Sequence, residues 1–120
     1  MRAQRIEQDA TGTWEISTFA GSLHVLCIPL DGRATVARYT DWGGVDPSAG
    51  PAELPEDGRE HTLVAWCSFD PVGRVGPAIE LGSCMVLLVE PIDRDGVLRA
   101  VISTPVVAIY GEPAEPSVRT

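Results

Sequence analysis

Lysine and asparagine are absent from these 120 residues, so all nine cationic side chains are arginines. Seventeen Asp and Glu residues oppose them, giving a formal net charge of −8. Repulsion along the whole encounter path argues against direct binding to nucleic acid or to an anionic membrane, and it favours a basic or neutral protein partner. No stretch approaches the ~20 apolar residues of a membrane helix. The opening MRAQRIEQDATG has no apolar run behind its arginines, so no secretory leader is expected and a cytoplasmic protein is the expectation. Cysteine is scarce as well. Cys27, Cys67 and Cys84 are odd in number and no two have C-x-x-C spacing, which excludes the usual zinc and dithiol motifs. Each lies in an apolar segment, so three buried, free thiols are expected. No sequence pattern calls for a cofactor or a metal.

What the chain does have is apolar strand material. Hydrophobic residues make up 44% of it, enough for one core in a chain of single-domain size. The densest part is 82–110. Within it 85–89 is an unbroken apolar run, Asp93, Arg94, Asp95 and Gly96 supply turn chemistry, and 97–104 is rich in β-branched residues. Pro105 then separates 106–110, so three consecutive strands are predicted. Apolar residues on both alternating faces predict strands covered on both sides, at the centre of the fold.

Nearer the start, residues 1–12 are polar and are expected to be weakly structured and flexible. Residues 13–18 alternate, with Trp14, Ile16 and Thr18 on one side, which predicts a half-buried strand with Trp14 facing the core. Ala20, Gly21 and Ser22 lead into 23–30, and the Asp31-Gly32 pair turns the chain into 33–40. An antiparallel meander over 13–40 follows. Residues 60–69 are a further strand, and 78–81 a short bridging one. The tail, 111–120, is too polar and proline-rich to pack and is expected to be disordered.

GSLHVLCIPLDG from Gly21 and GSCMVLLVEPIDRDG from Gly82 share Gly-Ser, then Val-Leu, then proline and an acidic turn ending in glycine. Either this reflects common turn chemistry or it marks two similar meanders. Two meanders facing one another would close the sheet edges that one alone exposes. The predicted fold is therefore all-β, a small barrel or two-sheet sandwich of six to eight strands spanning 13–110, with a long loop at 41–59. The segments GTWEISTFAGS at 12–22, GSCMVLLV at 82–89 and STPVVAI at 103–109 resemble small uncharacterised β-rich proteins of actinobacteria and their phages. That resemblance implies a β-rich fold and carries no catalytic or binding residues across.

Few residues suggest chemistry. His24 and His61 are the only imidazoles, and a metal or nucleophilic site would need Cys, Asp or Glu converging on one of them. The turn at 93–96 lacks the later ligands of a calcium loop, and the glycines near Arg74 lack the spacing of a phosphate loop. The 41–59 loop stands out more. Asp41, Asp46, Glu53, Glu56 and Asp57 crowd it, and Trp42 sits at one end. An aromatic anchor beside acidic groups suits a contact surface for a basic partner; alternatively Trp42 plugs the barrel while the charges stay solvated. Two functions follow. The first is a non-enzymatic interaction or regulatory module that binds a protein through Trp42, Asp41, Asp46, Glu53, Glu56 and Asp57, with an acidic nucleic-acid mimic as a special case and self-association left open. The second is a small enzyme or ligand carrier with its site in the barrel mouth, lined by Trp14, Trp66 and one histidine. A polar-and-apolar pocket holding either histidine would favour the second, and a filled interior the first.

Overall fold

A computed structural model describes residues 1–39, 60–90 and 98–112. The described residues contain no helix, and so none long and apolar enough to cross a membrane. Six strands form the body: β3 (Gly12–Thr18), β4 (Leu23–Ile28), β5 (Ala34–Tyr39), β6 (Glu60–Phe69), β9 (Cys84–Glu90) and β10 (Arg99–Glu112). Four two-residue strands accompany them, β1 (Arg2–Ala3), β2 (Arg5–Ile6), β7 (Val75–Gly76) and β8 (Ile79–Glu80). The order β10-β3-β4-β5-β6 is closed by β9, which pairs with both β6 and β10, and every pairing is antiparallel. The protein is thus a small all-β barrel built from two meanders, β3-β4-β5 and β6-β9-β10. The two Gly-Ser pairs introduce the middle strand of each half, behind glycines with positive φ at Gly21 (99°) and Gly82 (85°). Residues with a Cβ are strained there.

Alternation sets the inner wall. Gly12, Trp14, Ile16 and Thr18 face in along β3, and Met85, Leu87 and Val89 do so along β9. Trp14 is 6% exposed, as its strand pattern predicts. Ile16, Leu26, Met85 and Ile109 join Val106 in one buried cluster.

Several expectations need correction. The two strands expected on either side of Pro105 are one, β10, whose register shifts between Ile102 and Pro105. Proline lacks the N–H a regular ladder would use, and a break in register tolerates that loss. Coverage is one-sided: Ile102, Val107 and Tyr110 lie on β10 and are 62%, 53% and 46% exposed. The strand is apolar on both faces, yet only the inner one is packed. Strand β10 also continues to Glu112, so the first two residues of the expected tail belong to the sheet, with Gly111 opposite Trp14.

The N-terminal residues are likewise built in, where weak structure was expected. Strand β1 pairs with β10 and β2 with β8. Ile6 and Ile79 are fully buried in the main cluster. The amide of Gln8 donates to the carbonyls of Trp66 at 2.6 Å and Pro77 at 2.5 Å, and Ser68 Oγ donates to Ala78 O at 2.5 Å. The barrel end formed by the end of β6 and the start of β9 is thereby filled. Burying an isoleucine side chain contributes about 2 kcal/mol, so Ile6 offsets the ordering cost of about one or two residues of its segment.

Candidate functional site

The other end of the barrel is different in kind. It is formed by the start of β4, the end of β5, the start of β6, the end of β9 and the start of β10, and it carries an open-mouthed cavity of about 540 Å³. Among the described residues its polar lining is His24, Arg38, His61 and Arg99. Its apolar walls include Val36, Leu87, Val89 and Val101.

Register explains the convergence. His24 on β4 lies directly opposite Arg38 on β5, and Val36, two residues back, lies opposite His61 on β6. Leu63, two residues further along β6, faces Val89, which in turn faces Arg99, and Leu87 faces Val101. Directly opposed side chains sit on the same face with Cβ atoms roughly 4.5–5.5 Å apart. His24, Arg38, His61 and Arg99 therefore gather around this end, with the histidines buried, Arg38 partly buried and Arg99 exposed at the rim. His24 is 3% exposed and His61 9%. All four polar groups also make an interaction within the protein.

The residues around this end are only partly visible in the sequence. Both histidines stand out there as the only imidazoles, and both are buried. Trp14 and Trp66, expected in the mouth, do not line the cavity. Trp14 packs against Gly111 with its Nε1 donating to Thr11 O at 3.1 Å, and Trp66 packs partly buried against the core. Arg38 and Arg99 were missed. Their signal is phase: Arg38, partly buried, is in step with buried Val36, and Arg99, exposed at the rim, is in step with partly buried Val101.

The remaining expected residues fall elsewhere. Trp42, Asp41, Asp46, Glu53, Glu56 and Asp57 lie outside the described residues, as does the turn at 93–96. The three cysteines are free, but Cys27 is exposed and Cys67 and Cys84 are only partly buried, contrary to the expectation of burial. All three sit on strands, Cys27 on the solvent side of β4. Among the described residues no group of three His, Cys, Asp or Glu side chains could hold a metal ion. The described lining also contains no hydroxyl, thiol or carboxylate side chain. The arrangement can bind through hydrogen-bond donors set in an apolar wall. Comparison with known protein families, curated proteins and solved structures gives no match.

Proposed function

We propose that this protein is a small-ligand-binding barrel, with its site at the end lined by His24 and His61. The observation that supports this reading is the cavity of about 540 Å³, which brings both histidines of the chain onto one apolar wall. Binding sites for small molecules are typically 300–1,000 Å³, mostly apolar, with a few placed polar groups. A barrel of six strands that served only to display a loop would gain from a filled interior at both ends, since each void forfeits packing. Among the described residues, one end is filled by Ile6 and Ile79, while the other carries the histidine-lined cavity.

A neutral solvatochromic dye tests the proposal. It should bind saturably, with a blue-shifted emission, and Val101→Trp should abolish the shift by filling the cavity. Val101→Phe provides a second, smaller filling in case the larger ring unfolds the domain. Equal dye binding in folded wild-type and both filled variants would refute a site at this end.

A further inference from the structure

We infer that the ligand of this cavity is an amphipathic organic anion, with a carboxylate or phosphate head held by Arg38 and Arg99 and an apolar body lying along Val36, Leu87, Val89 and Val101. The inference rests on the ligand-binding reading above and adds the chemistry of the occupant. Its basis is distribution. The chain has nine arginines and two histidines against seventeen carboxylates, yet two arginines and both histidines meet in one cavity. No carboxylate side chain is among the described residues that line it. A bound anion would meet the guanidinium groups first.

Arginine also suits the task better than a point charge. Its planar fork matches the two oxygens of a carboxylate or phosphate and it cannot lose its proton at working pH. Arg38 stands beside His24 across the β4–β5 pair, and Arg99 beside Val89 across β9–β10, so polar donors and apolar wall alternate around the same opening. All four groups already interact within the protein, so the ligand head adds to those interactions or exchanges with one of them. Beyond the head, each methylene buried against the valine and leucine walls should tighten binding about fourfold. Acetate and inorganic phosphate lack that contribution.

Calorimetry with four probes of one chain length tests this: octanoate, octyl phosphate, octanol and octyltrimethylammonium. Octanoate or octyl phosphate should bind at least tenfold more tightly than octanol, and the cation more weakly than octanol. Comparing the two anions tells which head the site takes. Arg38→Gln and Arg99→Gln should each weaken the preferred anion about tenfold, the scale of a lost charged hydrogen bond, while leaving octanol binding and the far-UV circular dichroism unchanged. Arg38→Lys, which keeps the charge, should retain a preference for anions. Octanol binding as tightly as the anions would overturn the inference and leave the cavity reading standing. A preference for anions that survives in the double glutamine variant would overturn it equally. If none of the four probes binds, the inference fails, and the neutral dye shows whether the ligand-binding reading fails with it.

Discussion

Replacing Gly111 with alanine should drive a methyl carbon into the ring of Trp14. A Cβ at Gly111 would lie 2.6 Å from Cδ2 and 2.7 Å from Cζ3 of that ring, and closer still to Cε3. Carbon atoms pack best at about 3.5–4.0 Å, so the indole would have to retreat by more than about 1 Å. It has little room: Trp14 is 6% exposed and its Nε1 is tied to Thr11 O. Overpacking of this kind costs about 1–3 kcal/mol, and losing the indole hydrogen bond adds about 1 kcal/mol. The expected loss of about 2–4 kcal/mol is a large share of the ~5–15 kcal/mol that holds a domain together. Urea unfolding followed by far-UV circular dichroism measures it, with an unchanged m-value as the check that stability alone has moved. Gly76→Ala is the control, because a Cβ there meets nothing within 4 Å, and it should stay within about 0.5 kcal/mol of wild type. In a Trp14→Leu background the Gly111→Ala cost should shrink by at least ~1 kcal/mol, since contacting residues are energetically coupled. A Gly111→Ala protein as stable as wild type, or an equal cost in both backgrounds, would refute the packing described for this strand pair.

Three further outcomes are expected. Ile6→Ala should destabilise the protein by about 2–5 kcal/mol in the same urea assay, whereas a loose N-terminal segment would give almost no change. Ser68→Ala should cost about 1–3 kcal/mol, because the buried bond to Ala78 O is lost and its carbonyl left with less compensation. In the native protein Cys27 should react with a thiol reagent faster than Cys67 or Cys84, since it alone of the three is exposed; equal rates for all three would contradict the placement of β4 in the wall.

Much of the barrel was legible because strand alternation is local. The inward side of 13–18 and the bounds of 60–69 follow from the apolar pattern and the glycines and prolines around it. Ile6 was not legible, because a single apolar residue between Arg5 and Glu7 has no periodicity, and its burial depends on β8 more than seventy residues later. Pro105 misled for a related reason. Its effect on a strand depends on whether its missing N–H falls at a ladder bond or at a register shift, and only the partner strand decides that. The cavity shows the same limit. Two histidines can be counted in a sequence, but their meeting depends on β4 pairing with β5 and β5 with β6 in one register, across a 20-residue interval between β5 and β6. Arg38 and Arg99 could have been noticed by phase alone, as charged residues in step with core positions.

The most direct measurement is an NMR titration of isotope-labelled protein with the neutral dye. The amide resonances of His24 and His61 and the amide and methyl resonances of Val36, Val89 and Val101 should shift together along one saturation curve, while those of Ile6 and Ile79 at the filled end stay fixed. Absence of any saturable shift in the first group, or shifts centred on the filled end, would contradict a ligand site at the histidine-lined end of the barrel.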